Sequence, residues 1–366
     1  MNIQKKRRSC DFHTHLRSIA EVGKKIFEFI VKLNTSGYKH VVAEPNAPLD
    51  ANEPRRHIET AQDVDIYRKQ VEEAQRAVGS KAIVHYLIKM TPRTTRTIVK
   101  DAMGTGAIGM KEYPDGVTNN SEGGITAADF TSPQFYGCLH ELQDQGGIYQ
   151  KHPEMPGNVF CMRRECVYND TVTRRHATDF PGLKIFLEHM THRFSLQLLE
   201  EFPNVYGSIT GHHKRYTLDD VLGQHAHHCR PNAKEPEDRD ELRLAAFGKK
   251  LAIAHKVVSI TDSAYHALYR KLFLACACAG VFNPAEIALA WLAVLFEKEN
   301  GWAHFEEFTS LNGCAIYGFE PPSTDDLVTF TDEEWEVPRL YLPTEHIADA
   351  VEPFLAGNRL NRRLVV

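Results

Sequence analysis

Short apolar runs alternate with amphipathic stretches along this chain. Eight runs have strand length and strand composition, at residues 9–12, 40–43, 82–87, 107–110, 147–150, 183–187, 205–209 and 256–260. Between most of them apolar positions recur at helical spacing, over residues 19–35, 60–78, 92–102, 127–145 and 194–202. Strand–helix alternation predicts a parallel sheet, because a crossover helix is what returns the chain to start a parallel neighbour. Eight units favour an α/β fold closed as a (β/α)8, TIM-like barrel over an open doubly wound sheet. From about Pro321 the chain is rich in Pro, Asp, Glu and Thr. The expected organisation is one barrel domain over residues 1–366, with 321–366 as a C-terminal extension wrapping it.

The segment Gly104-Thr105-Gly106-Ala107-Ile108-Gly109 matches G-x-G-x-x-G, but its order is reversed for a dinucleotide site. Such a fingerprint follows a strand and opens a helix. Here a helical pattern precedes the glycines and a strand follows, which makes them a helix stop and turn.

Composition then excludes several classes. The chain has 366 residues, 42% of them hydrophobic and 25% charged, with a formal net charge of −5. That leaves no basic footprint for nucleic acid and no polybasic membrane surface. The basic run Lys5-Lys6-Arg7-Arg8 is followed by Asp11, His13 and Arg17 rather than by the apolar core of a signal peptide. The most apolar stretch, 285–296, is too short to span a bilayer. Eight scattered cysteines read as free thiols in a reducing compartment, so the expected location is cytoplasmic.

Candidate chemistry gathers at predicted strand ends, where barrel enzymes place catalytic groups. Residues two apart in a strand share a face, so His13 and His15 can aim at one metal, and Arg17 continues the same parity. The same residues also suit an edge strand with two solvated histidines. Further strand ends carry Lys111, His152, Glu188-His189 and Thr261-Asp262. Four histidines, one aspartate and one lysine suffice for two metals if something bridges them. A lysine that reacts with carbon dioxide becomes a carbamate, which is a bridging carboxylate, and two metals so held can share a hydroxide. Elsewhere, His212 and His213 crowd together, as do His225, His227, His228 and Cys229. These read chiefly as a polar loop near the barrel mouth, with a separate zinc site as the alternative. Cys276-x-Cys278 lacks a second pair at zinc spacing and reads as turn packing.

The ordered motifs His13-Thr14-His15-Leu16-Arg17, Glu44-Pro45-Asn46, Gly109-Met110-Lys111-Glu112-Tyr113-Pro114, Glu188-His189-Met190-Thr191 and Thr261-Asp262-Ser263-Ala264-Tyr265-His266 resemble those of the dihydroorotase family, in its shorter bacterial type within the amidohydrolase superfamily. Asn283, Asn312-Gly313 and Phe354-Leu355-Ala356-Gly357 extend the similarity nearly to the C-terminus.

The resemblance implies a zinc-dependent, reversible opening of the cyclic amide of dihydroorotate to carbamoyl aspartate, a step of pyrimidine synthesis. It implies two zinc ions, the first held by His13, His15 and Asp262 and the second by His152 and His189, with Lys111 as N6-carboxylysine between them. It implies that Asp262 shuttles the proton and that Arg17, Asn46 and His266 grip the substrate carboxylate. It implies a lid over residues 115–124 closing through Thr118 and Asn119, ring contacts from the backbone near Arg230 and Ala279, and a homodimer. Two competing expectations are a hydantoinase- or dihydropyrimidinase-like enzyme and a non-catalytic scaffold paralogue. Four places depart from the family pattern. Glu44 stands where methionine is usual, and Lys151 and Pro153 flank His152. Arg230 replaces a residue that is often leucine or lysine, and Thr118-Asn119 replaces a common Thr-Thr.

Overall fold

The structure is a computed structural model, and it describes residues 3–119, 121, 123–273 and 278–365. Eight parallel strands run in chain order: β1 (Ser9–His15), β2 (Tyr38–Ala43), β3 (Ile83–Met90), β4 (Ala107–Glu112), β5 (Ile148–Lys151), β6 (Lys184–Leu187), β7 (Val205–Thr210) and β8 (Val257–Ile260). A two-residue strand, β9 (Ser263–Ala264), follows β8 after a break at Thr261-Asp262. Ser263 pairs in parallel with Thr14 and Ala264 with His15, and the Asp262 N–H donates to His13 O at 3.0 Å. The last strand therefore returns to the first, and the sheet closes on itself as the alternation predicts.

The crossover helices start and stop where local chemistry favours it. Helix α1 (Lys24–Thr35) is separated from a single turn, Ile19–Val22, by Gly23 at φ 79°, so the continuous 19–35 helix of the sequence pattern is broken there. Thr60 caps α2 (Ala61–Val78) in a reciprocal capping box with Asp63. Thr95 caps α3 (Arg96–Gly104), and Ser132 caps α4 (Pro133–Asp144), with Pro133 at the first helical position. Both α3 and α4 begin later than the pattern predicts, because these caps set the start rather than the apolar periodicity. Helices α5 (Phe194–Glu201), α6 (Pro236–Ala246) and α7 (Ala285–Lys298) follow. The apolar stretch 285–296 lies in α7 and is buried on nearly every side.

Two apolar layers hold the barrel. The larger lies between sheet and helices, with Val41, Ile88, Leu187, Val205 and Val257 packed on helix residues such as Val31, Val64 and Leu199. The smaller fills the barrel with Phe12, Val42, Leu87, Phe186 and Val258. A C-terminal helix, Asn312–Tyr317, plugs this interior: the Tyr317 ring stacks on Phe12 at 5.1 Å, and its hydroxyl accepts from Gln150 Nε2 at 2.7 Å. Gly313 permits that approach, since a Cβ there would lie 2.2 Å from the Phe12 ring.

Beyond residue 321 the chain turns back on the N-terminus. Leu327–Thr331 pairs antiparallel with Ile3–Arg7 on one side and with Arg363–Val365 on the other. The seven described cysteines form no disulfide, and none of the described helices is long and apolar enough to cross a membrane. Cys276 lies outside the described residues.

Candidate active site

The carboxyl ends of the barrel strands converge on one buried cluster. His13, on β1, stands at its centre. Its ring lies 5.3 Å from that of His15 and 5.2 Å from that of His189, and His189 lies 4.7 Å from His152. Donor atoms of His13, His189 and Asp262 lie within 4.8 Å of one another. Lys111 Nζ is 3.4 Å from His13 Nδ1, and the lysine is completely buried. The structure thus brings together five of the residues expected to hold metal, and His15 joins them at its Nε2, 3.0 Å from Asp262 Oδ1.

Backbone strain helps to aim these groups. His189 (φ 40°) and Asp262 (φ 47°) are both in the left-handed region, which costs energy for residues with a Cβ and persists only when the surroundings enforce it. The enforcing bonds are visible. The His189 N–H donates to Ser208 Oγ at 2.8 Å, and the Asp262 N–H is held by β1.

Arg17 corrects the strand-parity expectation. β1 ends at His15, and Arg17 follows at φ 64°, so it does not continue the strand. A turn swings its guanidinium instead to Tyr265 O, at 3.1 Å from Nε and 2.8 Å from Nη2, and to within 3.0 Å of His266 Nε2. It still lines the same cleft as His13 and His15.

Around this core lie the other expected residues. Asn46 Oδ1 accepts from His15 Nδ1 at 2.8 Å, which fixes the ring so that Nε2 faces Asp262. Asn119 Nδ2 donates to Ala279 O at 2.8 Å and lies 3.3 Å from His266 Nε2, so Asn119 reaches across the cleft. Arg230 Nη1 donates to Val117 O at 3.2 Å, and Thr118 borders the same cleft. Although Pro153 follows it, His152 points into the site, with Nε2 2.8 Å from Glu154 Oε2.

Sequence reasoning assigned no role to several residues that shape the site. Glu188 Oε2 lies 3.0 Å from His13 Nδ1 and accepts from Ser208 Oγ at 2.7 Å. Glu44, the departure from methionine, points inward: Oε1 is 3.3 Å from His13 Nδ1, Oε2 is 3.5 Å from Lys111 Nζ, and the Tyr113 hydroxyl donates to Oε2 at 2.6 Å. The signal for Glu188 was its place beside His189. For Glu44 it was the charged residue at a strand end where an apolar one is usual. Lys151 is likewise buried, with its ammonium over the Tyr149 and Tyr168 rings and 3.2 Å from His176 Nδ1, on the outer side of β5.

The electrostatics follow from burial and these neighbours. Burial pulls the His13 imidazole down, but the negative charge of Glu44 and contacts with Asp262 and Glu188 outweigh it, and its pKa is pushed up to about 10. Burial would raise Asp262; the imidazoles of His13 and His15 instead hold it well below the usual carboxylate range. Burial and the nearby His152 hold His189 well below the ordinary histidine value, and burial lowers His152 as well. Burial, then the Arg17 charge, keeps His266 neutral.

The donor set fits a metal centre. Among the described residues, His189 Nδ1 and Glu188 Oε1 are buried without a hydrogen-bond partner, while His13 Nε2 and Glu44 Oε1 make only ion-pair contacts of 3.3 Å, to Asp262 and His13. Buried polar atoms left unpaired at the point where carboxylates and imidazoles converge are what a cation satisfies. The structure divides the second histidine group, and the polar-loop reading fails for three of its members while His227 and His228 stay half-buried. His212, His213 and Cys229 are buried and adjoin one another, whereas His227 stacks on Tyr216.

A closed parallel barrel with imidazoles, a lysine and an aspartate gathered at its carboxyl rim defines an amidohydrolase-type enzyme. No family model matches the chain. A dihydroorotase of Pseudomonas savastanoi pv. phaseolicola is 33% identical over 313 residues, covering 84% of this chain and 86% of that protein. The crystal structure of dihydroorotase from Saccharomyces cerevisiae in complex with 5-fluoroorotic acid superposes with a TM-score of 0.86 at 25% identity, covering 100% of this chain and 99% of that one. The Campylobacter jejuni dihydroorotase structure gives 0.84 at 29% identity, with 100% and 98% covered. The chain belongs to the dihydroorotase family. It is an enzyme of the amidohydrolase type, and its described residues include a buried group that could hold a metal ion.

Proposed function

We propose that the chain catalyses the zinc-dependent, reversible hydrolysis of the cyclic amide of (S)-dihydroorotate to N-carbamoyl-L-aspartate. The observation that carries this reading is the convergence of His13, His189 and Asp262 beside Arg17 and His266. It joins a metal-ligating cluster to a fixed cation suited to a carboxylate-bearing ring. An uncharged ring, as a hydantoinase takes, gives Arg17 nothing to bind.

His13, His15 and Asp262 would hold one zinc, His152 and His189 a second, and Lys111 as N6-carboxylysine would bridge them. Bound there, the pair supplies Lewis acidity that lowers the pKa of water and polarises the amide carbonyl. Asp262, deprotonated at neutral pH, accepts the proton of the attacking water and returns it to the leaving ring nitrogen. Arg17, with His266 and Asn46, anchors the substrate carboxylate. Asn119 and Thr118 close the cleft and exclude water, and the backbone at Arg230 and Ala279 orients the ring. Carbamylation of Lys111 replaces its ion pair with Glu44 by two adjacent anions, so it depends on the cations that hold them together. The chain acts in the cytoplasm as a homodimer of single barrel domains, each with residues 321–366 as its extension.

Metal content and turnover test this together. Purified protein should carry close to two zinc ions per chain at this site and open dihydroorotate in preference to hydantoin, and Asp262→Ala should abolish turnover with an unchanged far-UV spectrum. Absence of dihydroorotate turnover in zinc-replete protein would overturn the substrate. Absence of zinc binding would favour a scaffold.

A further inference from the structure

A second group of metal-ligating side chains lies where β7 turns into the short helix Gly211–Arg215. His212 and His213 meet Cys229 from the following loop, and their ligand atoms lie within 4.8 Å of one another. His212 and Cys229 are fully buried and His213 is 2% exposed. Neither ring nitrogen of His212 has a hydrogen-bond partner. A neutral imidazole has one donor and one acceptor, and leaving both buried and unpaired is unfavourable. Such an orphaned ring in a packed interior needs a partner.

His213 is poised differently. Its Nδ1 lies 2.8 Å from Thr210 Oγ1, while its Nε2 lies 3.5 Å from Cys229 Sγ and 3.0 Å from Pro231 O. The Pro231 carbonyl can only accept, so Nε2 carries the proton in this arrangement and Nδ1 accepts from the Thr210 hydroxyl; on ligation Nε2 gives up that bond, and the ring proton moves to Nδ1, beside Thr210 Oγ1. A metal-ligating histidine is oriented in this way, its other N–H fixed by a neighbouring oxygen. Ligand atoms about 2.0–2.3 Å from one tetrahedral ion stand roughly 3.3–3.8 Å apart, so the group closes by about 1 Å on binding. Two imidazoles and a thiolate are a donor set for a borderline-soft ion of the zinc class.

We propose that His212, His213 and Cys229 bind a structural zinc-class cation, separate from the site at His13, His189 and Asp262, with which it shares no ligand. The ion ties the end of β7 to the 229–231 segment. That segment carries Arg230, whose guanidinium supports the 115–124 loop at Val117 O, and it adjoins His228, whose carbonyl accepts the Gly280 N–H at 3.0 Å. The brace therefore steadies one wall of the cleft without touching the reacting atoms.

Cobalt substitution reads this site by itself, because the first cluster contains no cysteine. Protein fully loaded with Co2+ should show a thiolate-to-cobalt charge-transfer band in the near ultraviolet. Cys229→Ser should remove the band and one equivalent of bound metal, leaving the other equivalents in place, and His212→Gln should remove the same equivalent. The proposal is overturned if loaded wild-type protein shows no such band, or if the band survives in Cys229→Ser. Should either variant fail to fold, the spectrum and metal count of the wild-type protein decide the question. The result is independent of turnover, so failure of the proposed reaction leaves it readable.

Discussion

Glu44 and Lys111 form an ion pair of 3.5 Å at the floor of the cleft, with both side chains wholly buried. The pair does not stand alone. Tyr113 donates to the same carboxylate and His13 lies against its other oxygen. Removing one partner strands the other charge in a medium that cannot solvate it, which costs about 3–5 kcal/mol. Glu44→Gln should therefore lower the unfolding free energy of metal-free protein by roughly that amount, as read by denaturant titration. A variant as stable as wild type would show that Lys111 is not charged there.

Metal uptake should expel a proton. His13 stays protonated up to about pH 10 because of Glu44, and a protonated imidazole cannot ligate. Affinity should rise with pH through the neutral range and level off near pH 10. Calorimetry in buffers of differing ionisation enthalpy should count about one proton released from His13 per first metal near pH 8, and fewer in Glu44→Gln.

In the proposed reaction Arg17 acts on binding rather than on bond breaking. Its loss removes a charge-assisted contact worth about 1.5–3 kcal/mol, so Arg17→Ala should raise KM for dihydroorotate roughly 10- to 100-fold while kcat changes much less. A fall in kcat at unchanged KM would move Arg17 from anchoring to chemistry.

Asp11 gives a pH test of the fold itself. Burial pushes its pKa from 3.8 to about 7, against the lowering effect of bonds from Thr261 and the His13 N–H. Between those values the folded chain keeps a proton that the unfolded chain releases, so this group's contribution is present below about pH 3.8 and is lost as pH rises through 7. Asp11→Asn keeps a carbonyl oxygen for both backbone donors and has no charge to bury. Its stability relative to wild type should rise steadily from pH 4 to pH 7, and a difference independent of pH would refute the burial argument.

The strands were legible because a parallel barrel buries them on both faces, leaving continuous apolar runs that end at charged residues such as His13 and Lys111. The positions that failed were set from a distance. Arg17 leaves the strand because Tyr265, 248 residues away, offers its carbonyl. The inward aim of Glu44 depends on Lys111 and Tyr113, which no local pattern connects to it. The helical stretch 164–179 escaped notice because a π-helical segment, Asn169–Thr173, interrupts its period. His212 and His213 looked like loop residues because only the third dimension supplies the walls that enclose them.

The seam at which β9 meets β1 has a consequence for biosynthesis. His13 leaves the ribosome some 250 residues before Asp262, Ser263 and Ala264. Over that interval a nascent chain holds one half of the buried cluster and lacks the other. Assembly of the cluster is thus deferred to the closing of the ring, and any prematurely terminated chain lacking the seam is left without a complete centre.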